Sequence, residues 1–218
     1  AAGGFNLKRG TGFGFRRLPS ETENVVLDLF PNGFQPELKS NILDVSLISG
    51  FKFKLTDWKL DVSNTFGVNN FEYDVANTNN FSLGIASPTQ FDAGSHSFTQ
   101  NTINADASRA YASVFKGLNL AFGTEFRYEN YQILAGETAS YINGGAQSFP
   151  GFSYLNVVNK SRTSFGFYAD AELNFTDKFL VDAAVRFENF SDFGNTTNGK
   201  LSARYKITDK IFVRGSAS

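Results

Sequence analysis

The chain has 218 residues and a formal net charge of -1, with no cysteine, no methionine and a single histidine, His96. The lack of cysteine excludes disulfides, iron–sulfur clusters, Cys-ligated zinc and thiol nucleophiles, and the near-zero net charge argues against nucleic-acid binding. No signal peptide and no apolar run of about 20 residues, the length of a membrane-spanning helix, is visible. Because the sequence opens with alanine rather than methionine, we expect a processed or partial chain.

Residues 1–40 are rich in glycine and proline and predict a loop. Three arginines in this region, Arg9, Arg16 and Arg17, could contact an anionic ligand or lipopolysaccharide, and a solvated basic loop is the alternative. The stretch Gly10–Gly14 is similar to a glycine-rich phosphate loop. It has no preceding strand and no following helix, so a nucleotide site is not expected there.

Residues 41–218 predict successive β-hairpins, because apolar and polar side chains alternate with a period of two. In the first strand, Val45, Leu47 and Phe51 share one face, and charged residues occupy the other. The pattern recurs near 58–68, 118–129, 164–175, 181–188 and 200–207, and a last strand begins at Ile211. A strand within 98–115 alternates poorly and is expected because the hairpins require it, which gives about eight strands.

The connections are of two kinds. Short turns are predicted near Asp57, Lys116-Gly117, Asp177 and Asp209. Three of them share a Thr-Asp pair, whose side chains can bond nearby backbone N–H groups, at Thr56-Asp57, Thr176-Asp177 and Thr208-Asp209. Long polar connections are predicted over 69–97 and 130–162, and a shorter one over 190–198. Short turns at one end and long loops at the other are typical of a transmembrane β-barrel, with lipid against the apolar face. A soluble β-sandwich is the alternative, although its strands average only about 5–6 residues.

Charged residues on the polar faces of five strands predict a charged wall facing the barrel lumen. Such a wall could contact a plug or steer a solute, and the alternative is a ladder of cross-strand ion pairs that fixes register. Its members are Glu125, Arg127, Glu129, Asp170, Glu172, Asp182, Arg186, Glu188, Lys200, Arg204, Lys206 and Arg214. His96 lies in a polar stretch and is a candidate ligand contact, with a solvated loop histidine as the alternative.

Four segments of the sequence resemble the barrel of TonB-dependent outer-membrane receptors. They are Phe30–Leu38, Ser87–Thr102, Leu118–Tyr141 and, most specifically, Arg186–Ser218. The resemblance implies an all-β, antiparallel transmembrane barrel of about 22 strands, with short periplasmic turns and long extracellular loops. Residues 1–218 would be part of one barrel domain, with an extracellular loop over 1–40, hairpins over 41–218, about eight of the strands, and no plug domain.

The resemblance also implies a function and partners. The parent receptor would take up a scarce solute, such as a siderophore, haem, cobalamin or a glycan, across the outer membrane of a Gram-negative bacterium. Its partners would be outer-membrane lipid, the plug and remaining strands, TonB, and a small-molecule or glycan ligand; no cofactor, metal or nucleic acid is expected. A non-transport barrel, serving as adhesin or assembly subunit, is the alternative. An enzyme is not expected, because no nucleophile–base set stands out.

Overall fold

The computed structural model describes residues 1–218 as one open antiparallel sheet of nine strands in chain order. Each strand pairs only with its neighbours along the chain, so the sheet is a continuous series of hairpins. The strands are β1 (Ala2–Phe13), β2 (Glu37–Leu55), β3 (Trp58–Ala76), β4 (Gln90–Tyr111), β5 (Leu118–Leu134), β6 (Val158–Asn174), β7 (Phe179–Phe190), β8 (Gly194–Thr208) and β9 (Ile211–Ala217). The predicted all-β antiparallel fold is confirmed, with nine strands in place of about eight.

The additional strand is β1, which corrects the loop predicted over residues 1–40. It pairs with β2 along its whole length, from Ala2 opposite Ile48 to Phe13 opposite Glu37. Its glycines carry no side chain, so they hid the alternation that marks the other strands. Only residues 14–36 form an irregular connection.

The strands extend further from the short turns than the alternation indicated. The predicted connections over 69–97, 130–162 and 190–198 shrink to 77–89, 135–157 and 191–193. The poorly alternating strand exists as β4 and is the longest of the nine. In the extensions of β3 and β5 the alternation changes phase, because Phe71, Tyr73 and Tyr131 lie on the charged face and Glu72, Asp74 and Gln132 lie on the apolar face. A period of two that changes phase does not read as one continuous strand.

Register assigns the strand residues to two faces. Phe53 lies opposite Leu60, and Leu60 lies opposite Ala107. Ala107 in turn lies opposite Phe122, which faces Ala169. This row defines the apolar face, on which large side chains such as Phe53 and Phe122 are exposed. The other side of the sheet is the charged face.

On β2, β3, β5 and β6 the apolar face bears no charged side chain over a band beside the short turns, whereas β4 carries Arg109 on this face, paired with Asp57 at 2.7 Å. The band covers 43–55 in β2, 58–68 in β3, 118–128 in β5 and 163–173 in β6. Each stretch is at least as long as the roughly 9–11 residues with which a tilted strand crosses a bilayer. Beyond the band, toward the long loops, the same face turns polar.

The buried core lies among the long loops and the adjoining strand ends, because an open sheet covers neither of its faces. Its apolar members are Val25, Val26, Phe34, Val75, Ala76, Phe91, Ala93 and Ala146; Ala107, on the sheet, is the remaining buried apolar residue. The loops also contain one helical turn, α1 (Thr138–Tyr141), and 3-10 turns at Phe81–Ala86, Ile142–Gly144 and Tyr154–Asn156. None of these helical segments has the length and apolarity that a membrane-spanning helix needs.

The Thr-Asp turns close the hairpins in two ways. The Thr176 hydroxyl accepts hydrogen bonds from the backbone N–H groups of Lys178 (3.2 Å) and Phe179 (3.0 Å), and Thr208 accepts one from Lys210 (3.3 Å). These are the predicted side-chain bonds. Thr56 differs, since it sits at a φ of 53° and its hydroxyl donates to the carbonyl of the residue before it.

Candidate functional site

The twelve charged-wall residues all lie on the charged face, because register keeps them in step across β5 to β9. At the centre of the wall, Arg127 and Arg186 both reach Glu125, at 2.8 and 3.4 Å. Arg186 also pairs with Glu188 at 2.9 Å. Gly166 lies in register between Glu125 and Glu188, and the Arg186 guanidinium passes over it. Charges of both signs are therefore neutralised locally in this part of the wall.

A second ion pair lies nearer the long loops. Arg162 donates from Nε (2.8 Å) and Nη2 (2.5 Å) to one oxygen of Glu129, and its Nη1 lies 3.8 Å from Asp192. Arg162 was not among the predicted wall residues, because β6 was expected to begin near residue 164. Its position on the charged face, in register with Glu129, follows only from the longer strand.

The side chain of Tyr168 connects three neighbouring strands on the charged face. Asp106, Gly123 and Tyr168 occupy consecutive positions of one row on β4, β5 and β6. The Tyr168 ring lies over Gly123, and its hydroxyl donates to Asp106 at 2.7 Å. A Cβ at position 123 would lie 2.6 Å from the ring. Glycine is thus required for the ring to reach its acceptor. The sequence alone does not predict this contact, because Asp106 lies on the poorly alternating strand.

Two acids lie directly opposite each other in the wall, Glu172 on β6 and Asp182 on β7. Each has a nearby donor or cation that offsets the repulsion. Asn119 donates to Glu172 at 3.0 Å, while Ser202 donates to Asp182 at 2.9 Å and Lys200 lies 3.7 Å from it. This arrangement fits the interpretation of the wall as a cross-strand ladder.

The three candidate arginines of the N-terminal region have separate surroundings. Arg9 lies on strand β1 opposite Asn41, on the side of the apolar face, and not in a loop. Arg16 donates to the carbonyl of Asn32 at 3.2 Å. Arg17 lies 4.0 Å from Glu21. None of these contacts is shared, so the structure does not bring the three arginines together in one site.

Glu21 also organises its own turn. It accepts a hydrogen bond from the backbone N–H of Leu18 at 2.9 Å. This bond, with smaller contributions from Asn24 and Arg17, holds the pKa of the Glu21 carboxyl below its ordinary value. The same hydrogen bond that favours the ionised carboxylate therefore closes the turn.

His96 lies in β4, which corrects its predicted place in a loop. Its ring stacks on Phe71, with centroids 5.3 Å apart and planes 14° from parallel, and contacts Tyr73 at 5.7 Å. Phe149 and Phe152 from the connection 135–157 pack on Tyr73 at 5.3 and 5.8 Å. These five rings form an aromatic cluster on the charged face at the long-loop end. The sequence alone does not predict this cluster, because Phe71 and Tyr73 come from β3 and His96 from β4, in residues that were predicted to form a connection.

Asn79 ties the first two irregular connections together. It is fully buried, accepts a hydrogen bond from the Val26 N–H at 3.1 Å and donates to the Asn24 carbonyl at 2.9 Å. Its own carbonyl accepts a bond from the Gln147 N–H at 3.0 Å, which adds the third connection. Asn79 therefore joins its own connection, 77–89, to the connections 14–36 and 135–157.

Asn80 completes this tie. It is 1% exposed, and its amide donates to the carbonyls of Ala139 and Ile142 at 2.9 and 2.8 Å. The neighbouring Thr78 hydroxyl donates to the Gln147 carbonyl at 3.0 Å. We call the set Thr78, Asn79 and Asn80 the loop tie. The sequence predicts only a long polar connection here, since no local pattern shows that these side chains are buried.

Long antiparallel hairpins, an uncharged band on one face and compensated charges on the other define the sheet of a membrane β-barrel. The family model described as TonB dependent receptor-like, beta-barrel, matches residues 3–218. The chain therefore belongs to the TonB-dependent receptor-like β-barrel family. This is a family of Gram-negative outer-membrane receptors and transporters rather than enzymes.

Among solved structures, the chain is similar to the siderophore receptor PirA from Pseudomonas aeruginosa, with 11% sequence identity and a TM-score of 0.44. The similarity covers 84% of this chain and 36% of the PirA chain. This chain thus spans little more than a third of that receptor. No curated protein matches it.

Proposed function

We propose that the chain forms part of the barrel wall of a TonB-dependent receptor that takes up a scarce solute across the outer membrane. The solute classes that fit this proposal are siderophores, haem, cobalamin and glycans. The observation that carries it is the family match over residues 3–218, combined with an uncharged band of bilayer-spanning length on one face. The apolar face meets lipid, and the charged face lines the lumen.

The proposal fixes an orientation. Barrels of this class have short periplasmic turns and longer extracellular loops, so the Thr-Asp turns face the periplasm. Residues 14–36, 77–89 and 135–157 then lie outside the cell, joined by the loop tie. The aromatic cluster with His96 faces the lumen near the extracellular mouth, where an incoming ligand arrives.

The charged wall has a mainly structural role in this proposal. Its central arginines are satisfied by carboxylates on the same or neighbouring strands, so they are not free to hold a solute. The plug, the remaining strands and TonB are the partners of the parent receptor. Energy for uptake enters through them and not through this part of the wall.

The experiment is deletion of the gene that encodes the chain, followed by growth on limiting amounts of each solute class. We expect a growth defect on one class, an equal defect when TonB is removed, and restoration by the intact gene. Heat-modifiable migration of the receptor from outer-membrane fractions checks the barrel independently. If the receptor folds in the outer membrane of the wild type but its deletion leaves the uptake of every solute class unchanged, the proposal is contradicted.

A further inference from the structure

Two arginines face each other at the short-turn end of β8 and β9. Arg204 lies directly opposite Arg214, on the charged face. The next pair on that face consists of Ser202 and Ser216. Directly opposed residues on antiparallel strands have Cβ atoms roughly 5 Å apart, so like charges there repel. The pair is thus an unfavourable element unless something negative lies between the two guanidinium groups.

No carboxylate of the chain supplies that charge. The other arginines of the charged face, Arg127, Arg162 and Arg186, each have a carboxylate within 2.9 Å. The Arg204 guanidinium lies 5.8 Å from the ring centroid of Phe212, and neither Arg204 nor Arg214, which is on the edge strand β9, forms an ion pair within the sheet. The compensation found along the rest of the wall is therefore missing at this one pair of arginines.

The two arginines line a groove of about 440 Å³. Lys200, Ser202 and Ser216 line it as well, and no acidic residue does. Guanidinium groups present planar N–H forks that match carboxylate and phosphate oxygens, and hydroxyls can donate further bonds to the same group. Asp182 already engages Lys200 and the Ser202 hydroxyl. The donors left for an incoming group are therefore the two guanidinium groups and the Ser216 hydroxyl.

We propose that Arg204 and Arg214 form a binding site for an oxyanion, a carboxylate or phosphate group, on the lumen wall near its periplasmic end. The site rests on the proposed function, since it needs the charged face to line a lumen. Two sources share this chemistry: an anionic solute on its way to the periplasm, and a side-chain carboxylate from another part of the same receptor. The site is separate from the aromatic cluster, which lies at the opposite end of the strands.

The test uses the full receptor, purified in detergent, titrated with citrate and with inorganic phosphate by calorimetry. The variant is Arg204→Ala with Arg214→Ala, and the matched control is Lys206→Ala, on the same face of β8 but paired with Asp209 at 2.7 Å. A solute site predicts binding to wild type and control that weakens more than tenfold in the double variant. Binding that is equal in all three proteins overturns the proposal.

The second source has its own signature. If a carboxylate of the receptor itself occupies the site, neither citrate nor phosphate should bind. The double variant should then unfold at a lower temperature than the Lys206→Ala control. Absence of both binding and this difference overturns the proposal. If the double variant does not fold, Arg204→Lys with Arg214→Lys keeps the charge and loses the planar forks, and it must still weaken binding or stability relative to the control.

These outcomes are independent of uptake. A receptor that imports its solute normally and shows neither anion binding nor a stability difference contradicts only the oxyanion site. A receptor that lacks uptake of every solute class contradicts the proposed function, whatever the calorimetry shows.

Discussion

Replacing Asn79 by alanine should release residues 14–36 from the other two connections. The substitution leaves the Val26 N–H and the Asn24 carbonyl without their partners, in a place where the Asn79 side chain is fully buried. Each buried polar group left unsatisfied costs about 1–3 kcal/mol. Because two groups lose their partners, the local free energy of opening should fall by roughly 2–6 kcal/mol.

Hydrogen exchange of the full receptor measures this opening directly. A fall of roughly 2–6 kcal/mol corresponds to exchange that is about 30- to 20,000-fold faster, at about 1.4 kcal/mol per factor of ten. We expect the acceleration over residues 24–30 and around 147, with the strands below the loops unchanged.

The control is Asn77→Gly, two residues earlier in the same connection. Asn77 is exposed, donates one bond to the Gln35 carbonyl at 2.8 Å and has a φ of 48°, which glycine tolerates. The Asn77→Gly substitution should accelerate exchange over residues 24–30 and around 147 by less than about tenfold. Equal protection in the Asn79→Ala variant and the wild type would refute the reasoning that buried amide bonds hold the loops together.

The remaining predictions concern the sheet and one turn. Val62→Lys places a charge on the apolar face within the uncharged band and should destabilise the receptor in liposomes by about 2–4 kcal/mol. Ser63→Lys, on the charged face, should change the free energy of unfolding in urea by under about 1 kcal/mol. Equal effects of the two substitutions would contradict the face assignment. Gly123→Ala should destabilise by about 1–3 kcal/mol by displacing the Asp106 carboxylate and the Tyr168 ring, and this loss should largely vanish in an Asp106→Ala, Tyr168→Ala background, since both clashing side chains are gone. Because a backbone hydrogen bond lowers the pKa of Glu21, the turn is stabilised above the ordinary carboxyl value of 4.5 and loses this contribution as pH falls through the lower folded value. Hydrogen exchange in this turn, corrected for its intrinsic pH dependence, should then quicken at acid pH in the wild type and show no such step in Glu21→Gln.

The sequence predicted the parts of the fold that lie in the uncharged band. There one face is apolar and the other polar, so a period of two is visible from Val45 to Leu55 and again from Phe165 to Phe175. Toward the long loops the pattern changes phase on β3 and β5, where Phe71, Tyr73 and Tyr131 lie on the charged face, and it is weak on β4, although the backbone pairing continues. This is why β4 was weakly predicted and why its upper part, with His96, was placed in a loop.

The candidate site was predictable to a similar degree and for similar reasons. Alternation was enough to put the wall charges on one side, because register follows from it. The partners of those charges were not predictable, since Arg162, Asp106 and Tyr168 meet their acceptors across strands whose limits were unknown. The loop tie was beyond reach, because burial of Asn79 depends on segments more than 50 residues away in the chain.

The loop tie also bears on the order in which the barrel assembles. Its bonds join residues separated by 53 to 69 positions along the chain, and contacts of such long sequence separation form after local hairpins have closed. The tie to residues 139–147 therefore forms only once β3, β4, β5 and their connections are in place. Protection of the Gln147 amide, which donates to the Asn79 carbonyl, thus serves as a late reporter: a strand that enters the sheet out of register would leave this distant amide exposed.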